Sequence, residues 1–341
     1  MRKSWVFFTA AAILALHQAL EGQGVSKSGT IAAKFLSIDA GARAVAMGGA
    51  FASVADDATA MFWNPAGIAG IRGTEFLVTY GRWLADIRTN YTGLVLPAGN
   101  LGTLGVNATF VTMDDMERTT VEAPDGTGEY FDAGSLAFGI SVGRALTDRF
   151  SIGFNGKYIR ESIYHSRAQG LALDIGTLFR TQFHDMRIGM SISNFGTKMR
   201  MTGDDMLVQH DIDPVQSGNN GNIKADLRTD AFDLPLMFRV GVSADLLKSA
   251  GGDRLIVALD ALHPNDSTEC VNAGCEYVFR NRVRLRVGYK SLFSRDSQQG
   301  LTLGGGLTQR IGGTGNISID YAYQDFGILN NTQRFSLAIR L

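Results

Sequence analysis

From about Thr74 to Leu341, apolar and polar side chains alternate along the chain. Leu104, Val106, Ala108 and Phe110 alternate with Thr103, Gly105, Asn107 and Thr109, and Ile317, Ile319, Tyr321 and Tyr323 with Ser318, Asp320, Ala322 and Gln324. A period of two puts the two sets on opposite faces of a strand. Fourteen such segments are readable, centred near residues 77, 93, 107, 138, 154, 175, 190, 240, 257, 274, 286, 304, 319 and 337. Many reach ten residues, against the ~9–11 that a tilted strand needs to cross a bilayer. The last alternation, Phe335, Leu337, Ile339 and Leu341, runs to the end of the sequence, although it ends in Leu where such barrels commonly end in an aromatic. The pattern predicts an all-β fold: a transmembrane up-and-down antiparallel β-barrel of about fourteen strands over residues 74–341. The competing reading is a soluble sandwich or propeller. Long strands and a polar face rich in Gly, Ser and Asn argue against it, since a soluble surface would carry more Lys and Glu.

The N-terminal stretch has a different pattern. Arg2 and Lys3 precede the apolar run Trp5–Leu16, and Gly22-Gln23-Gly24 offers a small-x-small cleavage site, with Ala19 as an alternative. This predicts a signal peptide over residues 1–24. No Cys follows the apolar run, so no lipid-attachment site is read. No later window holds 18 consecutive apolar residues, so no transmembrane helix is predicted. An exported chain of this kind is either soluble or a membrane barrel. The alternation selects the barrel, and with it the outer membrane of a Gram-negative bacterium. Composition adds two exclusions. At 45% hydrophobic and 19% charged the chain is not disordered. Its 41 Gly and 6 Pro follow no G-x-y period, which excludes collagen and fits many strands and turns. A formal net charge of −1 makes membrane lipid the expected surroundings and excludes nucleic acid as a partner.

Residues 25–73 do not alternate. Asp56 or Asp57 is positioned to cap a short helix of two turns, Asn64 to close it in a left-handed conformation and Pro65 to stop it. So short a helix cannot persist alone, and the lumen is the nearest surface on which it can pack. A lid outside the barrel is the alternative. The run Gly41-Ala-Arg43, Met47-Gly48-Gly49-Ala-Phe51, Ala55-Asp56-Asp57-Ala58 and Trp63-Asn64-Pro65-Ala-Gly67 resembles the N-terminal hatch of FadL-type outer-membrane transporters, and more closely that of the PorV/PorQ family. Gly274 to Phe279 and Leu285 to Lys290 are similar to a later strand pair of that family. The resemblance runs from about Phe35 to the C-terminus, but the acidic 196–234 loop, with Asp204, Asp205, Asp211, Asp213 and Asp226, has no counterpart. It implies a fourteen-stranded barrel with the N-terminal segment inside. The leading reading is a non-enzymatic secretion accessory or docking barrel of type IX character, with secreted cargo or secretion-complex subunits as partners. The alternative is a FadL-like channel for hydrophobic small molecules, which should show an apolar lumen pocket and a side opening. A polar inward face and the long 196–234 loop favour docking.

Catalytic and metal chemistry is weakly signalled. Gly139-Ile140-Ser141-Val142-Gly143 matches G-x-S-x-G, but a nucleophile elbow needs strand, turn and helix, and here the motif lies within an alternating strand. An outer-membrane lipase would rest on Ser141 alone. His165, His184, His210 and His263 are isolated, and His17 belongs to the signal peptide, so no zinc site is readable. The aspartates of the 196–234 loop lack calcium-loop spacing. No metal, cofactor or catalytic residue is predicted. Cys270 and Cys275 fall in one strand with Cα atoms roughly 16 Å apart, beyond disulfide reach unless residues 271–274 form a hairpin turn. Lys157, Arg187, Arg239, Arg280, Arg284, Arg286, Lys290 and Arg340 are expected to face inward, with Asp174, Asp260, Glu276 and Asp320. Arg43, Asp56 and Asp57 of the hatch are expected to pair with these, Arg284 and Arg286 being the natural partners of the hatch carboxylates.

Overall fold

The computed structural model describes residues 29–341 apart from 184, 212–214, 216–222, 250, 295–296 and 313–314, so the signal peptide lies outside the described residues. The alternating segments become fourteen wall strands: β1 (Glu75–Arg82), β2 (Arg88–Pro97), β3 (Thr103–Thr112), β4 (Ala133–Ala145), β5 (Phe150–Ile163), β6 (Ser166–Arg180) and β7 (Arg187–Gly196), then β8 (Met237–Lys248), β9 (Arg254–Pro264), β10 (Cys270–Phe279), β11 (Val283–Leu292), β12 (Leu301–Ile311), β13 (Gly315–Asp325) and β14 (Asn331–Arg340). All fourteen centres expected from the alternation fall inside one of these strands.

Each strand pairs antiparallel with its neighbours in the chain. β1 also pairs with β14, from Glu75 opposite Arg340 to Arg82 opposite Gln333, which closes the sheet into a barrel. Closure leaves no unpaired edge, which a lipid environment demands of any spanning sheet. In β1, Glu75, Leu77, Thr79 and Gly81 are buried inside, while Phe76, Val78 and Tyr80 face out. The same alternation leaves Leu259, Leu285, Ile319 and Phe335 exposed on the outer wall. So broad an apolar exterior is a liability in water and the expected surface in lipid.

The two ends differ. At the end where β1 begins and β14 finishes, the strands are joined by turns of three to six residues. The opposite end carries the long connections 113–132 and 197–236, the second of which contains a small ribbon of Leu207–His210 against Ile223–Asp226. Short turns on one side and long loops on the other match the periplasmic and external ends of such barrels.

Three sequence expectations land on these strands. Ser141 sits in mid-β4, where its hydroxyl bonds Asn155 Oδ1 at 2.9 Å; β4 continues to Ala145 and turns into β5, so there is no elbow. Cys270 and Cys275 both lie on β10 and both are free. Arg280 does not face the lumen: it lies in the β10–β11 turn, exposed, with its guanidinium over Phe279.

Candidate functional site

Residues 29–73 run through the lumen from the loop end to the turn end. At the loop end, Ala32 N donates to Asp233 O at 2.9 Å and Lys34 pairs with Asp266. At the turn end, Gly73 leads straight into β1. Ala44, Met47, Phe51, Met61, Trp63 and Ile68 are all fully buried. A segment too short for a stable helix of its own is ordered here by packing.

The local conformations depart from the expected caps. The helix Ala60–Trp63 is a single turn, and neither Asp56 nor Asp57 caps it. Asp57 Oδ1 instead accepts from Thr59 N and Thr59 Oγ1, at 2.9 and 2.5 Å, shaping the turn before the helix. Asn64 is extended (φ −158°, ψ 99°), not left-handed. The reason is Pro65, whose ring drives the preceding residue out of helical space. Asn64 serves the next element: its side chain accepts from Ala66 N at 3.2 Å and caps the 3₁₀ turn Pro65–Gly70, with Pro65 at the favoured first position. Gly48 and Gly49 reverse the chain at φ 66° and 75°, a region that suits glycine.

Glycine explains how the wall admits this segment. On nine strands, β2–β7 and β10–β12, a lumen-facing Gly lies where an added Cβ would come within 2.1–2.9 Å of a hatch atom. Gly153 meets the Pro65 carbonyl, Gly176 meets Asn64, Gly189 meets the Ala52 carbonyl and Gly288 meets Gly48 N. The high glycine count therefore also supplies a seat for the hatch, a role that composition alone did not reveal. Polar bonds reinforce it. Asp260 Oδ2 accepts from the backbone N–H of Phe51 and Ala52, both at 2.8 Å, Ser191 Oγ donates to Trp63 O at 2.9 Å, and Thr302 Oγ1 donates to Ala46 O at 3.1 Å. Arg239 lies over the Trp63 ring at 5.3 Å and bonds Ser193.

The charges form a chain across the hatch–wall boundary. Arg43 binds both oxygens of Glu276, at 3.0 and 2.9 Å, and on its other side pairs with Asp56 and, at 3.2 Å, Asp57. Glu276 also accepts from Arg286 at 2.6 Å, and Arg286 donates to Asp320 at 2.6 Å. The hatch carboxylates thus pair with the hatch's own Arg43, not with Arg284 or Arg286. Arg286 lies on the far side of Glu276, and among the described residues Arg284 bonds Thr308. Burial pushes the Asp56 carboxyl up, but the Arg43 guanidinium beside it outweighs that and holds it below its ordinary value of 3.8. Elsewhere Lys157 pairs with Asp174, Arg187 with Asp245, Lys290 with Asp39 and Arg340 with Glu75. Several inward charges escaped the sequence reading, among them Asp245, which pairs with Arg187, and Glu161, which accepts from Ala33 N at 3.0 Å. Glu75, the first residue of β1, accepts from Ala58 N at 2.7 Å. Arg334 is buried beneath the Trp83 ring at 5.1 Å. Glu75 and Arg334 sit on strands whose alternation alone would have placed them inside.

Residues 8–171, a little under half of the chain, match the model of a family described as uncharacterised, UPF0164. No curated protein matches significantly. Three solved structures are similar in fold. The CymD monoaromatic hydrocarbon channel has a TM-score of 0.55 at 12% identity, covering 89% of this chain and 96% of its own. The toluene transporter TodX of Pseudomonas putida gives 0.55 at 12%, covering 88% and 96%. A FadL homologue of Pseudomonas aeruginosa gives 0.50 at 13%, covering 86% and 95%. At these identities the likeness shows the fold alone. The chain is a closed fourteen-stranded antiparallel β-barrel, similar in fold to these channel and transporter structures.

Proposed function

We propose that the chain is an outer-membrane channel for small hydrophobic molecules, with residues 25–73 as the hatch that closes it. The carrying observation is an apolar compartment at the loop end of the lumen, separate from the larger cluster that the rest of the hatch forms with Leu77, Tyr91, Val95, Ile256 and Ala258 of the wall. The inward positions Ala137, Ile159, Ala168 and Ala172 join Met199 and Leu234 around Phe35 and Leu36 of the hatch. Side chains that could have been polar are apolar here, and what fills the space is apolar chain. An apolar ligand that took the place of Phe35 and Leu36 would find the same burial, roughly 25 cal/mol per Å². The fold neighbours, named for monoaromatic hydrocarbons and toluene, support the same class of cargo. The side opening expected of such a channel is not present among the described residues, since all fourteen strand interfaces are paired. Passage therefore runs along the lumen and needs the hatch to move. The PorV/PorQ-like hatch motif would bring a secretion-accessory role, but no arrangement of residues speaks for one, so the channel reading stands first. The test is uptake of toluene by cells producing the protein or its Ile159→Asp variant at equal outer-membrane levels. Slower uptake by the variant is expected; equal rates would refute the proposal.

A further inference from the structure

Between hatch and wall at the turn end lies a cavity of about 580 Å³, a size common for small-molecule sites. Arg72 of the hatch, Arg149 of the β4–β5 turn, Arg180 at the end of β6 and Arg187 at the start of β7 line it, with Asp56 and Asp148. Arg187 is already paired with Asp245 at 2.8 Å, and Asp56 shares Arg43 with Asp57 and Glu276. Among the described residues, Arg72, Arg149 and Arg180 have no carboxylate partner; Arg149 contacts the neutral amide of Gln182. Three guanidinium forks, against Asp148 and an Asp56 that shares its cation, leave an excess of positive charge around one cavity.

We propose that this cavity is an oxyanion site that takes a phosphate group. The planar fork of Arg matches the oxygens of phosphate in a way a point charge does not. The excess of positive charge suits a phosphate group. Because Arg72 belongs to the hatch and Arg149 and Arg180 to the wall, the bound group bridges them. A ligand that binds only the seated hatch stabilises that state by mass action, so phosphate at the turn end opposes opening. The phosphate can be carried by a soluble compound or by the headgroup of a neighbouring lipid.

The test is titration calorimetry of inorganic phosphate into the full-length protein, with chloride holding ionic strength constant. Saturable binding is expected, weakened at least about tenfold in Arg149→Gln/Arg180→Gln, as the loss of charge-assisted bonds implies. Arg310→Gln, at the same end but outside the cavity, should bind as the parent does. Heat-shifted gel mobility checks that each variant is folded, and the two single variants replace the double if it is not. Binding no stronger than that of chloride, or equal weakening in Arg310→Gln, overturns the site. The titration is then repeated in bilayer discs of phosphatidylcholine with and without phosphatidylglycerol. Competition by phosphatidylglycerol identifies a lipid headgroup as the source, and unchanged binding identifies a soluble phosphate. Phosphate should also reduce opening events in planar bilayers for the parent but not for Arg72→Gln; an equal effect on both overturns the bridge.

Discussion

The contact between Arg43 and Glu276 joins hatch to wall, and its removal should be felt in the gating equilibrium. Glu276 has no exposed side-chain surface and Arg43 keeps 13%, so salt screens the pair little. Breaking a buried pair by removing one partner costs ~3–5 kcal/mol. The lower figure applies here. In Glu276→Gln, Arg43 retains Asp56 and Asp57, and Arg286 retains Asp320. In Arg43→Met, Glu276 retains Arg286, while Asp56 and Asp57 at the more open side lose their shared cation. About 3 kcal/mol corresponds to roughly a hundredfold shift in the ratio of seated to unseated hatch. The double variant Arg43→Met/Glu276→Gln removes one charge of each sign and leaves the Arg286–Asp320 pair whole. Its cost should be close to that of one single variant, a coupling of about 2 kcal/mol or more, within the range for contacting residues. Open probability in planar bilayers measures the ratio for each variant, with heat-modifiable gel mobility confirming an intact barrel. Two results would refute the reasoning: single variants as closed as the parent, or single effects that add in the double to within about 0.5 kcal/mol.

Gly189→Val should unseat the hatch, since even a Cβ at that position would lie 2.2 Å from the Ala52 carbonyl; raised conductance with normal gel mobility is the expected readout. Acidification should loosen the hatch through Asp56, whose carboxyl is held low in the folded state: its contribution is complete above pH 3.8 and is lost as pH falls through the lowered value, so openings should increase below pH 3.8 in the parent and less so in Asp56→Asn. In denaturant without reductant, Cys270 and Cys275 should both take a thiol label, seen as two additions by mass spectrometry; labelling only after reduction would contradict their placement on one strand.

The wall was legible because its signal is repeated and local: each strand announces itself by a period of two, and closure follows from the number and length of the strands. The hatch was legible as a unit but not in detail. Asp56 and Asp57 look like caps in a linear reading, yet Arg43, thirteen and fourteen residues upstream, claims both. The Asn64 error was avoidable, since the proline that follows it already excludes a helical or left-handed close. The glycine seat was not legible by any local rule, because a lumen-facing Gly and a turn Gly look the same until the facing segment is known. For the same reason Arg284 and Arg286 seemed equivalent. Only the fold shows Arg286 beside Glu276 and Arg284 beside a threonine.

Gly73 and Thr74 sit where the first and last strands meet. Thr74 N donates to Leu341 O at 3.1 Å and Leu341 N to Thr74 O at 2.8 Å, while a Cβ at Gly73 would lie 2.1 Å from the Leu341 carbonyl. This seam joins residues more than 250 positions apart, and such distant pairings form slowly in a folding chain. The hatch precedes the seam in the chain and touches glycines on nine strands, so it is more readily wrapped than threaded. It should then act as a mandrel, with strands gathering on it while the sheet is still open and the registry at its own root forming last. A barrel without residues 25–66 should consequently close more slowly in a gel-shift refolding assay, even where the finished wall is equally stable, and closure at the parent rate would show that the wall needs no such former.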